Sequence, residues 1–253
     1  MDGALAGFRV VDLSQDVAGP YCTKLLAGLG ARVIKVEPPG SGDPSRRSGP
    51  AGAGEQNLET SPSFLYLNTG KESVTLDLDL PDGRAVLERL LVDADVLVES
   101  FPPGRLATLG LGDEPLHRLN PRLVITSITN FGQTGPYRDY KADEINLLAL
   151  GGLLFITGEP DQPPLRMGGR LCQYTAGQNA LIGTLAALLA RRQTGRGQQV
   201  DVSIMETVMA ILEGAITHWS YHQELRGRAG TAATAGWGIY PCKDGFVAAV
   251  SGG

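Results

Sequence analysis

Short apolar runs alternate with helical patterns along the first half of the chain. The runs FRVVDL, ARVIKVE, ESVTLDL, DVLVES and RLVITSIT are rich in β-branched residues and predict strands. Between them, GPYCTKLLAGLG and PDGRAVLERLLVDA have prolines where helices begin, and they predict helices. A strand, a helix and a further strand in succession predict parallel pairing with a right-handed crossover. The pattern therefore predicts an open, mostly parallel α/β sheet with flanking helices.

Two apolar helices with polar first turns are predicted farther along the chain. The segment ADEINLLALGGLLFITGEP predicts a helix headed by Asp143 and Glu144, and a longer helix is predicted from Gln173 to Arg192. Acids in a first turn commonly serve as a cap and as a partner for the helix dipole. They serve chemistry instead if the two helix starts converge on one crevice at the edge of the sheet. The sequence leaves both interpretations open.

The turn after the first strand invites comparison with a dinucleotide site. Such a site needs GxGxxG at this turn and an acid after the second strand, where Glu37 stands. The turn LSQDVAGPY has only Gly19, so no nicotinamide cofactor is predicted. The start of the following helix can still receive an anion such as a substrate carboxylate. Beyond the second strand, Pro38 to Pro62 form a loop rich in Gly, Pro and Ser, long enough to be functional or mobile.

Composition and charge narrow the class of protein. With 253 residues, 42% of them apolar, the chain is long enough for one large domain or a domain plus a fragment. A net charge of −5 gives no attraction to phosphate backbones, so no nucleic-acid partner is predicted. No apolar run reaches the roughly 18 residues of a membrane span, and no signal peptide is recognisable, so a cytoplasmic location is expected. Three distant cysteines, Cys22, Cys172 and Cys242, predict reduced thiols and no metal site.

Several longer segments resemble one family. They are GFRVVDLSQDVAGPYCTKLLAGLGARVIKVEPPGSGDPSR, LNTGKESVTLDL, DADVLVESFPPGRLATLGLG, LNPRLVITSITNFGQTGPY, LALGGLLFITG, LLARRQTGRGQQVDVSIMET and GIYPCKDGFVAAV. In this order they are similar to the family III CoA-transferases of the CaiB/BaiF type. Formyl-CoA transferase, carnitine–CoA transferase and α-methylacyl-CoA racemase belong to that family. The resemblance extends from Leu5 to Val250.

The resemblance implies an architecture and a set of ligands. It implies a large Rossmann-like domain, linkers to a small domain, and two chains interlocked as a dimer. On that basis residues 1–222 are expected to form the large domain, and residues 223–253 a linker and the beginning of the small domain, with the chain truncated there. The implied substrates are coenzyme A or an acyl-CoA and a small carboxylic acid, with no bound cofactor. The expected assembly is a homodimer or a heterodimer with a catalytic paralogue.

The resemblance also implies positions for the site. Family contacts to CoA match Asp16, Val17 and Ala18, then Phe101 and Arg105, then Lys141. The basic side chains of Arg105 and Lys141 are expected near CoA phosphates. Thr108 departs from an arginine that several relatives have.

The nucleophile is where this sequence departs most from the family. The transferases attack the thioester with an aspartate near the start of the long helix and form a mixed anhydride, and Gln173 stands at that position. The racemases place a His–Asp pair where this chain has Asp143 and Glu144. We therefore favour a transferase component whose catalytic aspartate lies in another subunit or in a fused half. The alternatives are an enzyme using Glu144 or Asp143, a racemase-like isomerase, and a non-catalytic CoA-binding or scaffold protein.

Overall fold

The chain forms two compact units. The computed structural model describes residues 3–48, 57–212, 214–225, 227–230 and 236–250. The sheet unit comprises Met1–Lys141 and Cys172–Ile204, and the second unit comprises Ala142–Leu171 and Met205–Gly253. The domain boundary expected at residue 222 stays a prediction.

Six parallel strands build the sheet unit. They are β1 (Arg9–Asp12), β2 (Arg32–Glu37), β3 (Glu72–Thr75), β4 (Val96–Glu99), β5 (Val124–Thr129) and β6 (Gln199–Ser203). Their spatial order is β3-β2-β1-β4-β5-β6, and every neighbouring pair is parallel. This is the order of a doubly wound Rossmann sheet, in which the direction of winding reverses between β1 and β4. The prediction of an open parallel α/β sheet is confirmed.

Nine helices are found in the described residues. They are α1 (Ala18–Gly28), α2 (Pro62–Leu67), α3 (Pro81–Val92), α4 (Arg105–Thr108), α5 (Asp113–Leu119), α6 (Glu144–Leu150), α7 (Leu171–Thr194), α8 (Ile204–Ala210) and α9 (Ala215–His222). A short 3-10 helix spans Pro44–Arg47. In the second unit, β7 (Trp237–Cys242) and β8 (Gly245–Val250) pair as an antiparallel hairpin. No helix in the described residues is long and apolar enough to cross a membrane.

Helices cover both faces of the sheet. On one face, Leu87 and Leu91 of α3 and Leu116 of α5 pack with Leu97 and Ile125, neighbours on β4 and β5. All five side chains are fully buried, and burial of each such side chain contributes about 1.5–3 kcal/mol. Helices α1 and α7 lie on the opposite face. Because both faces are closed, a ligand must approach the sheet at its edges.

The long helix α7 runs against the direction of the strands. Its Gly177 lies against Ala18, just beyond the carboxyl end of β1. Farther along, Thr184 and Thr126 of β5 share a hydrogen bond of 2.7 Å between their hydroxyls. Near its end, the Arg191 guanidinium donates to the Arg122 carbonyl at 2.9 Å, before β5 begins. The start of α7 therefore lies at the carboxyl edge of the sheet.

Two local predictions differ from the structure. The helix predicted over ADEINLLALGGLLFITGEP is wrong in length, because α6 ends at Leu150 and Gly152 has a φ of +86°, outside the helical region. The loop from Pro38 to Pro62 contains the 3-10 helix and the Ser61 cap of α2, which sequence patterns missed. Residues 49–56 of that loop lie outside the described residues.

Candidate functional site

The carboxyl ends of β1 and β4 define the candidate site. Open α/β sheets bind ligands beyond the carboxyl ends of their strands, at the point where the winding reverses. The two turns at this point are joined by hydrogen bonds. The Leu13 N–H donates to the Val98 carbonyl at 2.8 Å, and the Gln15 N–H donates to the Ser100 hydroxyl at 2.8 Å. The sheet therefore brings the predicted residues Asp16, Val17 and Ala18 to the same edge as Phe101.

The turn after β1 is held by fixed polar partners. The Ser14 N–H donates to Asp12 at 3.0 Å, and the Asp16 N–H donates to Asp43 at 3.3 Å. Lys35 Nζ donates to the Ser14 carbonyl at 2.9 Å. Asp16 has a left-handed φ of +65°, which turns the chain into α1. The turn is thus built before any ligand arrives.

The first turn of α1 follows directly on this turn. Helix N-termini present N–H groups that lack partners within the helix, and these groups favour anions. In the described residues, no side chain caps the first turn at Val17 and Ala18. The first turn also has no acidic residue to repel an anion. Val17 and Ala18 are both buried, and the binding of a negatively charged group at these positions stays a prediction.

A network of buried charges supports the turn from below. Lys35 and Asp43, each with a side chain only 1% exposed, pair at 2.8 Å, and Lys71 pairs with Asp12 at 3.0 Å. Burial alone would raise the pKa of Asp12, but Lys71, Lys35 and hydrogen bonds from Ser14 and Thr23 hold that pKa well below its usual range. Burial lowers the pKa of Lys71 to about 8, partly offset by Asp12. Buried charges of this kind are tolerated only when each has an oppositely charged partner, because the desolvation cost is otherwise not offset.

A third ion pair anchors the 3-10 helix to the sheet. Glu37, at the end of β2, accepts two hydrogen bonds from the Arg46 guanidinium at 2.7 and 2.9 Å. It also accepts one from the Asp43 N–H at 2.8 Å. Burial raises the pKa of Glu37, but the hydrogen bonds from Arg46 and neighbouring donors lower it to about 2. In dinucleotide sites, an acid in this position binds the ribose. Here Glu37 instead supports the loop after β2.

A cavity of about 210 Å³ opens beside this turn. Its lining comes from the ends of β1, β2 and β3 and from the turn after β4: Leu13, Gln15, Val36, Glu37, Pro38, Leu76, Asp77, Leu78, Asp79, Phe101, Arg105 and Leu109. A pocket for a whole drug-sized ligand is typically about 300–1,000 Å³, so this cavity suits one part of a larger molecule. Two predicted CoA positions, Phe101 and Arg105, line it, whereas Lys141 is exposed and lies outside the lining.

The first turn of α7 packs directly on the first turn of α1. A side chain added at Gly177 would place its Cβ 2.6 Å from the Ala18 carbonyl oxygen, so only glycine allows this approach. The rings of Tyr174 and Tyr21 meet edge to face with centroids 4.9 Å apart. Gln173 lies one helical turn before Gly177, on the same side of α7, and is partly buried. Gln173 therefore lies at the same edge of the sheet as Val17 and Ala18.

Asp143 and Glu144 belong to the second unit, where they begin α6. Asp143 is the N-cap, and its N–H donates to the Asn146 side chain at 2.9 Å, as in a capping box. Glu144 is buried in the first turn. Asp143 therefore begins α6 at the cap position, while a role for its carboxylate in chemistry stays a prediction. The convergence of Glu144 and Gln173 on one crevice stays a prediction.

Sequence patterns missed Glu99, the last residue of β4. Its side chain is buried, and its carboxylate accepts a hydrogen bond from the Phe101 N–H at 2.8 Å. Burial, with smaller contributions from the nearby carboxylates of Asp201 and Asp113, raises the pKa of Glu99 to about 7, although hydrogen bonds from Ser127 and the Phe101 N–H lower it in part. The signal in the sequence was an acid closing a buried apolar strand beside a predicted CoA contact. Glu99 therefore fixes the turn that presents Phe101.

Neither a metal site nor a catalytic thiol is supported by the described part of the chain. No group of three or more His, Cys, Asp or Glu residues there is arranged to hold a metal ion. Burial raises the pKa of the Cys22 thiol to about 12, which removes it as a nucleophile. Cys22 and Cys172 are buried free thiols, and Cys242 is an exposed one.

Comparison with known proteins agrees with this architecture. The model of CoA-transferase family III matches residues 5–253. The chain is 42% identical to succinyl-CoA–D-citramalate CoA-transferase of Chloroflexus aurantiacus, over 94% of this chain and 58% of that protein. It is 41% identical to succinyl-CoA:(R)-benzylsuccinate CoA-transferase subunit BbsE of Thauera aromatica, over 96% of this chain and 59% of that protein. The chain thus spans less than two thirds of the length of these relatives.

A solved structure extends the likeness to the fold. A CAIB/BAIF family protein from Brucella suis superposes with a TM-score of 0.89 at 33% identity, over 97% of this chain and 65% of that chain. The same sheet and the family match across nearly all of the sequence leave one assignment: this chain belongs to CoA-transferase family III.

Proposed function

We propose that this chain provides the CoA-binding part of a CoA-transferase, which moves CoA from an acyl-CoA to a small carboxylic acid. The observation that carries the proposal is the fixed turn at Asp16–Ala18 beside the cavity lined by Phe101 and Arg105. Membership of the family supports it, as do the relatives named as CoA-transferases of succinyl-CoA and acetyl-CoA. CoA enters as a substrate, and no bound cofactor is required.

The transfer reaction needs a carboxylate that this position lacks. In the proposed chemistry, a carboxylate oxygen bonds to the acyl carbon, the C–S bond breaks, and CoA leaves as a thiolate. The thiolate then attacks the carbonyl of the nucleophile within the anhydride, which releases the first acid and leaves a thioester on that residue. The carboxylate of the second acid displaces CoA from this thioester and forms a second anhydride. The thiolate finally attacks the acyl carbon of the second acid, which gives the new acyl-CoA and frees the carboxylate of the nucleophile. Gln173 occupies the expected position, but its amide is neutral and has no free carboxylate to form an anhydride. The chain therefore contributes binding and positioning at this point, and the nucleophile must come from elsewhere.

We propose that a partner carrying the aspartate completes the enzyme. Two relatives are named as subunits, the BbsE subunit and the beta subunit of succinyl-CoA–L-malate CoA-transferase. The latter is 38% identical to this chain. An assembly of unlike subunits explains why this chain has Gln173 at the nucleophile position, because the partner then supplies the aspartate. A heterodimer with a catalytic paralogue is the expected form.

Calorimetry with coenzyme A tests the binding half of the proposal. Arg105→Ala and Lys141→Ala should each weaken CoA binding by about 1–3 kcal/mol, because each removes a charge-assisted contact with phosphate. Arg9→Ala is the matched control, since Arg9 is an exposed arginine at the opposite edge of the sheet, paired with Asp93. Affinity unchanged in both site variants would remove the site, and absence of CoA binding by the unaltered chain would remove the function.

A further inference from the structure

The cavity beside the β1 turn carries an uneven set of charges. Four of its lining residues are ionisable: Glu37, Asp77, Asp79 and Arg105. Glu37 is already neutralised by its two hydrogen bonds from Arg46. The other charged groups of the lining are therefore two carboxylates and one guanidinium. A ligand phosphate that approaches Arg105 must also approach those carboxylates.

Local hydrogen bonds hold the backbone of the turn that carries Asp79, the residue paired with Arg105. Asp77 accepts the Asp79 N–H at 2.9 Å, which closes a tight turn after β3. Arg84 donates to the carbonyls of Leu78 and Asp79, each at 3.0 Å. Gly83 lies so close to the Asp77 carbonyl that a Cβ there would be only 1.9 Å from its oxygen. Asp79 is thus presented to the cavity by a rigid turn.

The guanidinium of Arg105 is already engaged by this turn. Its Nη2 donates to the Asp79 carboxylate, while the Arg105 backbone begins α4. Both side chains are well exposed, so the pair is accessible to ions from solvent. An exposed pair of this kind contributes little to stability. Its main consequence is to place a negative charge where a phosphate would bind.

We propose that Asp79 is a specificity-determining residue, which weakens the binding of a phosphomonoester on the nucleotide end of the ligand by competing for Arg105. This inference rests on the proposed CoA-binding function. A phosphate dianion on Arg105 displaces Asp79 and is repelled by it, whereas ribose hydroxyls can donate to the same carboxylate. The phosphomonoester therefore adds less to the affinity of the ligand than it would if Arg105 had no carboxylate beside it.

Calorimetry with coenzyme A and with dephospho-CoA separates this effect from general binding, because the two ligands differ by that phosphomonoester alone. Asp79→Asn should tighten CoA binding about threefold to tenfold. The affinity for dephospho-CoA should stay within about twofold of that of the unaltered chain. The gain should shrink in concentrated salt, which screens exposed charges. It should also vanish when Asp79→Asn is combined with Arg105→Ala, because the two side chains act through one interaction.

Asp93→Asn is the matched control. Asp93 is 72% exposed and paired with an arginine at the opposite edge of the sheet, compared with 73% for Asp79. Its substitution should change neither affinity. Weaker or unchanged CoA binding by Asp79→Asn, or an equal gain for both ligands, would overturn the inference while the proposed function stands. Failure of every variant to bind either ligand would overturn the proposed function and this inference together.

Discussion

Replacing Asp43 by alanine should destabilise the sheet unit far more than an ordinary loop substitution. Asp43 lies in the loop after β2, yet its carboxylate and the ammonium of Lys35 are each only 1% exposed and lie 2.8 Å apart. The alanine variant leaves Lys35 charged and buried with the Ser14 carbonyl as its remaining hydrogen-bond acceptor. It also removes the acceptor for the Asp16 N–H and for the N–H and hydroxyl of Ser45.

The magnitude follows from the loss of one partner in a buried pair. Such a loss costs about 3–5 kcal/mol, because the surviving charge keeps its desolvation penalty. The lost hydrogen bonds add to the cost, each with a net value of about 1 kcal/mol, although they are not independent of the ion pair. Against a total stability of about 5–15 kcal/mol, this is a large fraction. Asp43→Asn should lose less, since the amide keeps an acceptor oxygen in place.

Urea unfolding followed by far-ultraviolet circular dichroism measures the effect. The control is Glu72→Ala, which breaks a pair with Arg32 whose side chains are 58% and 59% exposed. That variant should lose no more than about 1 kcal/mol. Equal losses in Asp43→Ala and Glu72→Ala would refute the reasoning that burial sets the size of the effect.

Two further predictions concern the packing of the site. Burial raises the pKa of Glu99 from 4.5 to about 7, so its contribution to stability is present below pH 4.5 and is lost as the pH rises to 7. Glu99→Gln should therefore gain about 3 kcal/mol in unfolding free energy relative to the unaltered chain between pH 4 and pH 8, and parallel pH profiles would contradict this. Gly177→Ala should lose about 1–3 kcal/mol by pushing α7 from Ala18, whereas Gly28→Ala, with open space around it in α1, should gain up to about 1 kcal/mol. Equal unfolding free energies for the two glycine variants would contradict the close approach of the helices.

The fold was largely predictable because its signals are local. β-branched runs such as FRVVDL identify strands by their own composition, and the alternation with helices implies a parallel sheet. Positions at strand ends, such as Asp16 and Phe101, could therefore be placed at the carboxyl edge once the resemblance had singled them out. The length of α6 was overestimated because its apolar pattern continues past the glycines at which the helix ends.

The charged residues that hold the candidate site in place were not predictable, because their contacts join segments that are distant in the sequence. The pairing of Lys35 with Asp43 joins a strand to a loop that has no periodic pattern, so nothing local announces it. The role of Glu99 depends on how deeply the end of β4 is buried, which emerges only when α5 and the neighbouring strands are in place. Likewise, the pairing of Arg105 with Asp79 depends on the turn after β3 reaching α4. Sequence reasoning thus placed the candidate site residues at one edge of the sheet but missed the charges that support that edge.

Hydroxylamine trapping followed by mass spectrometry tests the central claim most directly, namely that this chain holds CoA but lacks the nucleophile. Hydroxylamine attacks an acyl-enzyme anhydride and leaves a hydroxamate on the residue that carried the acyl group. Gln173→Asp provides the positive control, because it restores a carboxylate at the start of α7. When the unaltered chain is incubated with an acyl-CoA, we expect no residue to be modified. A hydroxamate on Glu144 or Asp143 of the unaltered chain would contradict the account and assign the nucleophile to α6.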